Sequence, residues 1–482
     1  MSRVKLAVTR GALAVLLLSS LPGCGSGGGK GLPPPPAPVC TPPVPQSSSL
    51  AEYVGSFHQR LELGTHKVNE TVTFPVPSNV QSVTILEQQA NADAAQTISL
   101  PWSSTAPNTP FPRKIYANGT QIFDVDNDAI NPGTPETLRV YYFTTAAWTG
   151  ALTIPNTAPM LQTVTGSPGG VPSGTWSLVV SDFANECPGI QGCSTVYAYP
   201  PSEYDITVLL KEGATPGPVS ASGTMDVALY LATETLTASS AQASPDVQKM
   251  LSFYGGLLGA AGIAIGNVTY HDLDATLKAK YATINGDDAT PCGDLAELLS
   301  HSVAGNQMNL FLVDAITSSS TGSATLVGLD GTIPGPASLG GTVQSGAAVS
   351  VSSLGKESLS GACSASPPDY YHCGNAEVAY IAAHETGHFL GLYHPTESDG
   401  TWFDPLAGTP QCACSSCGPS GAQCQNASGS VANPYAMTGY DCTRSTSCGG
   451  GDYLMFWVIS AYSKGSLSSD EGQVMRANPL VQ

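Results

Sequence analysis

Eleven residues, from His384 to His394, constrain the fold of this chain more than any other stretch. They have the sequence His-Glu-Thr-Gly-His-Phe-Leu-Gly-Leu-Tyr-His. Residues four apart lie on one face of a helix, so His384 and His388 can present ring nitrogens to one ion, with Glu385 beside them. Gly391 comes where that helix should end, because glycine readily adopts the left-handed conformation that turns the chain sharply. The spacing therefore predicts a helix and a turn that brings His394 back to the same ion.

The residues around the motif predict the limits of its helix. Asn375 is a good N-cap, and Glu377 falls in the first turn, where the helix dipole favours an anion. Apolar residues follow at helical spacing, which predicts a helix from about Ala376 to Leu390. Glycine is costly inside a helix, so Gly387 indicates either tolerated packing or the close approach of another backbone.

Three imidazoles and one carboxylate are the set of groups that a catalytic zinc site requires. Three neutral nitrogen ligands, from His384, His388 and His394, leave the fourth position of a tetrahedral zinc to water, whose pKa the metal lowers. Glu385 would take the proton of that water. The alternatives are core histidines or a structural metal site, and Glu385 favours catalysis because a structural site needs no base.

The pattern His-Glu-x-x-His-x-x-Gly-x-x-His resembles the signature of the metzincin clan of zinc endopeptidases, over the catalytic domain only. The resemblance implies peptide-bond hydrolysis by metal-activated water, with Glu385 as general base and then proton donor. It also implies a methionine turn beneath the site. We assign Met455 to it, because it lies in an apolar turn before a predicted last helix, Leu467 to Arg476; Met437, in a polar cysteine-rich stretch, is the alternative.

Some metzincins carry a tyrosine two residues after that methionine, which contacts the metal or the transition state. Trp457 holds this place here, and an indole neither binds zinc nor donates a phenolic proton. Tyr440 follows Met437 at a poorer spacing. Pro395 and the stretch Asp404 to Pro410 resemble pappalysin-like bacterial metzincins.

The start of the chain predicts export. Basic residues precede the apolar run Ala12 to Leu18, which indicates a signal peptide over residues 1–23 that is too short to span a membrane. The residues Leu-Pro-Gly-Cys that end at Cys24 resemble a bacterial lipobox, which implies a lipid on Cys24; an ordinary signal peptide is the alternative. Gly25 favours the outer membrane by resemblance to sorted lipoproteins, with the orientation open. Residues 24–49, rich in glycine, proline and serine, predict a tether.

Cysteine usage fits an oxidising compartment, since the chain has 13 cysteines and lipidation of Cys24 leaves an even number. Two pairs are close enough for local bridges, Cys187 with Cys193 and Cys363 with Cys373, whereas Cys40 and Cys292 have no obvious local partners. A cysteine-rich insertion, 412–448, is predicted to be stapled by disulfides, with a second zinc or redox chemistry at Cys414-x-x-Cys417 as the alternative.

Length and pattern predict a multidomain protein, an all-β sandwich followed by an α+β metzincin-like domain. Between residues 50 and 212, turn residues separate five strand-like stretches: Val68 to Val76, Val80 to Leu86, Leu138 to Thr144, Thr175 to Val180 and Tyr204 to Leu210. A Pro/Gly linker, 213–223, precedes the second domain, 224–482. Its predicted order is strand Met225 to Ala232, helix Pro245 to Leu258, strand Ala261 to Val268, helix Cys292 to Val303 and strand Met308 to Ile316.

The resemblance further implies an edge strand that pairs with an extended substrate backbone. Two stretches are candidates, Leu326 to Ile333 and Ala347 to Ser353, and the sequence does not distinguish them. A protein or peptide is therefore the expected partner. A self-processing or signalling protease, and an adhesin or binding lipoprotein with a structural metal site, are the alternatives. Oligomeric state is left open.

Charge narrows the partners further. The net charge of −19 argues against nucleic acid and against anionic membrane surfaces, so membrane contact is expected through the lipid alone. Asp124, Asp126 and Asp128 alternate before Asn131 and suggest calcium, although the glycine and the final acid of an EF-hand loop are missing. A solvated acidic loop is the alternative.

Overall fold

The structure is a computed structural model. It describes residues 46–47, 58–90, 109–124, 148–157, 161, 171–186, 194–197, 203–288, 292–318, 326–356, 373–425, 431, 434–445 and 447–482. Several predicted features lie outside these residues: the signal peptide, Cys24, most of the tether, Cys40, Cys187, Cys193, Cys363, Asp126, Asp128 and the strand Leu138 to Thr144. No helix in the described part of the chain is long and apolar enough to cross a membrane.

The N-terminal domain, called the β-domain here (residues 58–212), contains two antiparallel sheets. The first has the order β2-β10-β4-β7, formed by β2 (His58–Lys67), β4 (Val80–Gln89), β7 (Thr149–Ile154) and β10 (Glu203–Glu212). The second has the order β3-β8-β5-β6, formed by β3 (Thr71–Val76), β5 (Thr109–Ala117), β6 (Thr120–Asp124) and β8 (Gly174–Glu186), with β9 (Ser194–Tyr197) paired to β8.

One apolar cluster joins the facing sides of these sheets. Ile85 and Val208 of the first sheet pack in it with Phe111 and Trp176 of the second. Successive side chains of a strand point to opposite faces, so alternate residues of β4, β8 and β10 reach this cluster. The arrangement is typical of a β-sandwich.

The first strands differ from their predicted limits. Residues 68–70 form the turn between β2 and β3, with Asn69 at a φ of 69°, so the predicted strand from Val68 begins only at Thr71. Strand β2 escaped prediction because its sequence is polar and much of it is exposed. Its partner β10 supplies the pairing that fixes it.

The C-terminal domain (residues 224–482) is built on a five-stranded sheet of order β12-β11-β14-β18-β16. The strands are β11 (Gly223–Leu231), β12 (Ile263–Asp272), β14 (Gln307–Val313), β16 (Gly328–Asp330) and β18 (Ala347–Ser350). All pair in parallel except β16, which runs antiparallel to β18 at the edge. The edge strand therefore lies in the candidate stretch Leu326 to Ile333.

The remaining elements surround this sheet. The helices are α1 (Ala238–Ala243), α2 (Pro245–Gly259), α3 (Ala275–Tyr281), α4 (Asp294–Leu299), α5 (Gly374–Phe389), α6 (Cys414–Cys417) and α7 (Ser469–Ala477). Two small sheets pair β13 (Thr283–Asn285) with β15 (Ala315–Thr317), and β1 (Gln46–Ser47) with β17 (Leu339–Gly340).

Two of these elements correct the sequence prediction. Helix α4 is shorter than the predicted Cys292 to Val303, because it starts after an N-cap at Gly293 and ends at the cap Ser300. Gln46 and Ser47 fall in the segment assigned to the tether, yet their backbones pair with β17 of the C-terminal domain.

Candidate metal centre

Helix α5 is buried along its whole length, from Gly374 to Phe389. Its N-cap is Cys373, so the prediction of Asn375 as the cap was wrong. The Asn375 side chain instead accepts a hydrogen bond from the Gly355 amide at 2.8 Å and donates one to Asp246 at 2.9 Å. These contacts tie the first turn to neighbouring segments, a tertiary role that local capping rules do not anticipate.

The three histidines of the motif meet at one point. His388 Nε2 lies 3.1 Å from His384 Nε2 and 3.2 Å from His394 Nε2, and all three residues are buried. They form a group that could hold a metal ion among the residues that the structure describes.

The outer ring nitrogens show why a cation fits this point. His384 Nδ1 lies 2.8 Å from the Leu454 carbonyl oxygen, and His388 Nδ1 lies 2.7 Å from that of Leu392. A carbonyl accepts only, so each Nδ1 carries the proton and each Nε2 presents a lone pair. Lone pairs about 3 Å apart repel unless a cation lies between them, which is the environment of zinc-binding histidines.

Burial keeps these rings neutral. It lowers the pKa of His384 to about 3, with the charge of His394 as the next cause. The pKa of His388 is lowered well below its usual value, again mainly by burial and then by the two other histidines. Neutral imidazole is the form that binds a metal.

His394 is placed by the turn at the end of α5. The cap residue is Leu390, and Gly391 follows with a φ of 112°, in the region that favours glycine. The chain then reverses, and His394 Nδ1 lies 3.1 Å from a Glu397 carboxylate oxygen, close in distance but without the angles of a hydrogen bond. A carboxylate behind a histidine is a common second partner in zinc sites.

Glu385 lies beside the histidines and under the edge strand. A Cβ at Gly328 of β16 would stand 2.3 Å from Glu385 Oε1, so glycine leaves the room that the carboxyl occupies. Both Glu385 oxygens are buried without a hydrogen-bond partner in the described residues. Burial, and then the nearby Asp330 carboxyl, raises the pKa of Glu385 well above its usual value. A divalent cation at the imidazoles would favour its ionised form.

Met455 packs against the last turn of α5. A Cβ at Gly387 would stand 2.4 Å from Met455 Sδ, so the glycine inside the helix accommodates this side chain and not another backbone. The preceding carbonyl, of Leu454, holds His384. Met437 is buried in a separate cluster with the cysteines of the insertion.

Each aromatic candidate has a contact outside the group of three histidines. Trp457 Nε1 donates to the Met437 carbonyl oxygen at 2.9 Å, which ties the segment after Met455 to the insertion. Tyr440 is 55% exposed and its ring lies 5.8 Å from that of Tyr462. The predicted last helix is α7, and its N-cap is Ser468.

The cysteine-rich insertion is stapled by disulfides, as the sequence predicts. Three bridges join Cys412 to Cys442, Cys414 to Cys424, and Cys417 to Cys448. Cys414 and Cys417 each form a disulfide with another cysteine of the insertion. The alternative prediction of a second zinc at this pair is therefore wrong. Cys292 and Cys373 each also take part in a disulfide bond.

The calcium prediction gains no support from the structure. Asp124 is buried at the end of β6, where Lys114 Nζ lies 3.2 Å from one carboxylate oxygen and Gln121 donates to the same oxygen. A lysine ammonium and a calcium ion would compete for that oxygen. The other two aspartates lie outside the described residues.

Sequence reasoning missed four contributors to the centre: Asp330, Glu397 and the backbone carbonyls of Leu454 and Leu392. Asp330 is buried on the edge strand, and burial raises its pKa to about 7. Glu397 comes three residues after His394, and an acidic residue at this spacing indicates a partner for the third histidine. A backbone carbonyl carries no sequence signal.

Comparison with known proteins supports a metal-dependent peptidase. Residues 228–455 match the model of a family described as Metallo-peptidase family M12 (Reprolysin_5), a range that contains the three histidines and Glu385 and ends at Met455. The match supports zinc-dependent peptide hydrolysis by this segment. A search of curated proteins finds no match to the chain. Among solved structures, the chain is similar to metalloproteinase-II from Bacteroides fragilis, at 12% identity over 47% of this chain and 71% of that one. The TM-score of 0.18 is too low for this likeness to bear on fold or function.

Proposed function

We propose that this chain is an exported, lipid-anchored zinc endopeptidase. The observation that carries the peptidase proposal is the convergence of three histidine Nε2 atoms beside a buried carboxyl with no hydrogen-bond partner in the described residues. His384, His388 and His394 would hold the zinc, and Met455 would support them from below. A bound zinc lowers the pKa of water towards neutrality and polarises a carbonyl group.

The chain's own residues then move the proton. Glu385 accepts a proton from the attacking water and passes it to the leaving amine, as a general base and then a general acid. Cleavage within a chain is part of the proposal because an edge strand such as β16 can pair with an extended peptide. All three residues of β16 are buried, so a peptide would have to displace the groups that cover this edge. Export rests on the predicted signal peptide and on the three disulfides, which persist in oxidising compartments.

The test compares Glu385→Gln with the wild type, using protein that starts after residue 24. We expect one equivalent of zinc in both by metal analysis, and a loss of casein cleavage by the variant of at least about a hundredfold. A chelator should abolish wild-type cleavage, and added zinc should restore it. Full activity in Glu385→Gln would refute the catalytic role, and a wild type without zinc would refute the metal site.

A further inference from the structure

The adjacent strands β4 and β10 in the first sheet of the β-domain are buried on both faces. Ile85 of β4 packs inside the sandwich, whereas its neighbour Leu86 packs in the apolar core of the C-terminal domain. The same alternation holds in β10. Leu210 packs inside the sandwich, and Leu209 packs with Val474 in the apolar core of the C-terminal domain. Antiparallel sheets commonly leave one face to solvent. Here the second face is part of the core that supports α5.

Polar contacts connect the same face to helix α7. Ser82 Oγ donates to the Ala477 carbonyl oxygen at 2.6 Å. Lys211 Nζ, from β10, donates to the carbonyl oxygens of Arg476 and Val481. These carbonyls lie at the end of α7 and just beyond it, where a helix has no partners of its own for them. The β-domain therefore completes the C-terminal end of this helix.

Helix α7 in turn touches the end of α5. Val474 packs against Gly391, with its Cγ1 3.4 Å from the position of a Cβ there. Asn478 Nδ2 lies 3.4 Å from the Phe389 carbonyl oxygen. Gly391 and Phe389 flank the turn that leads to His394. A continuous chain of contacts thus runs from the β-domain, through α7, to the turn of the third histidine.

We propose that the β-domain is a permanent part of the peptidase, which holds the turn of His394 through α7, and that its removal does not activate the enzyme. The role of His394 in this proposal rests on the proposed function. Fragment association does not, so the two can fail separately.

The first experiment cuts the chain between the domains. A protease site is inserted between Thr215 and Pro216, which are exposed. After complete cleavage, we expect the two fragments to elute together at the size of the intact protein and to keep its near-UV circular dichroism. A C-terminal fragment that separates and stays folded, with equal or higher zinc content and casein cleavage, overturns the proposal.

A matched pair of variants tests the shared face. In the cleaved protein, Leu86→Ala should raise the dissociation constant of the fragments at least about tenfold, because it opens a cavity at the junction. Ile85→Ala removes a similar volume inside the sandwich and should change it less than about threefold. Equal effects of the two substitutions would contradict the assignment of the face.

The effect of zinc on fragment association tests the link between the β-domain and His394. Reciprocity requires that, if the β-domain holds the turn, zinc binding also strengthens fragment association. We expect chelation to raise the dissociation constant of the fragments at least about fivefold, and His394→Ala to remove this dependence on zinc. The same constant with and without zinc overturns the positioning role. Calorimetric titration with zinc shows separately whether the metal binds at all.

Discussion

Gly387 shows how one residue can serve the site against its own helix propensity. Alanine is favoured over glycine inside a helix by about 1 kcal/mol. At Gly387, however, the new methyl group would stand 2.4 Å from the sulfur of the buried Met455. Overpacking of this kind costs about 1–3 kcal/mol. We therefore expect Gly387→Ala to lower the free energy of unfolding by about 1 kcal/mol, measured by urea denaturation.

Gly256 provides the control for this substitution. It lies in α2, and an added Cβ there would have no other atom within 4 Å, so alanine meets open space. Gly256→Ala should raise the free energy of unfolding by up to about 1 kcal/mol. Stabilisation by both substitutions would mean that Met455 does not pack tightly under the helix.

The turn after α5 is the element on which the third histidine depends. Gly391 has a φ of 112°, a conformation that costs other residues about 1–3 kcal/mol. We expect Gly391→Ala to weaken zinc binding at least about tenfold, because relief of the strain moves the chain that leads to His394. Competition with a chromogenic chelator measures the affinity.

Gly421 provides a control that distinguishes the effect of backbone strain on stability from the displacement of His394. It also has a positive φ, of 84°, and has no atom within 4 Å of an added Cβ. Gly421→Ala should carry a similar loss of stability and leave zinc affinity unchanged. If both variants lose zinc equally, the effect at Gly391 is a general loss of folding rather than displacement of His394.

The disulfides of the insertion are predicted to differ in how much they stabilise the fold. Chain-entropy arguments give a larger stabilisation for a bridge that closes a longer loop. Cys412 and Cys442 are 30 residues apart, whereas Cys414 and Cys424 are 10 apart. Replacing the first pair by serine should cost about 4 kcal/mol and the second about 3 kcal/mol, by denaturation under oxidising conditions. The reverse order would show that the insertion stays ordered without the longer bridge.

The sequence predicted elements whose signal is local. The motif located α5 to within two residues at its start, and Gly391 located its end, because spacing and glycine conformation are properties of the chain itself. The N-cap was wrong because Asn375 bonds to Asp246, far away in sequence. Met455 and Met437 could not be separated by pattern alone. Their difference is the packing of Met455 on Gly387.

At the scale of the molecule, the two-domain division predicted from composition understates how the parts are joined. The β-domain strands show the alternation of a sandwich, which predicts one apolar face. The second buried face, with Leu86 and Leu209, depends on a partner surface that no local pattern reveals. The pairing of β1 with β17 likewise brings two distant segments together.

Buried carboxyls predict how the stability of the whole molecule depends on pH. Burial raises the pKa of Glu471 to about 8 and that of Glu377 to about 7, and it raises the pKa of Glu87 well above its usual value. A carboxyl whose pKa is raised in the fold stabilises it fully below the unfolded pKa, near 4.5 for glutamate, and loses this contribution as pH rises through the folded pKa. Folding should therefore weaken towards alkaline pH.

Lys211 opposes this trend over part of the range. Burial lowers its pKa to about 7, so its contribution is present at high pH and is lost as pH falls to that value. Between pH 8 and 7, this loss amounts to about 1 kcal/mol, because the folded-state lysine itself becomes protonated as pH approaches its pKa. Glu471 and Glu377, with pKa values of about 8 and about 7, together gain more over pH 8 to 6.5 than Lys211 loses. The histidines of low pKa begin to oppose folding as pH approaches their unfolded pKa, near 6.5.

We therefore expect the metal-free protein to become more stable by about 2 kcal/mol as pH falls from 8 to 6.5, measured by urea denaturation at constant ionic strength. Glu471→Gln isolates one contribution, because glutamine stays neutral and can still take the capping position opposite Ser468. The variant should lose part of the slope and gain most stability at pH 8. If stability instead fell over this range, with an unchanged slope in the variant, Glu471 would be ionised in the folded protein and paired with a cation.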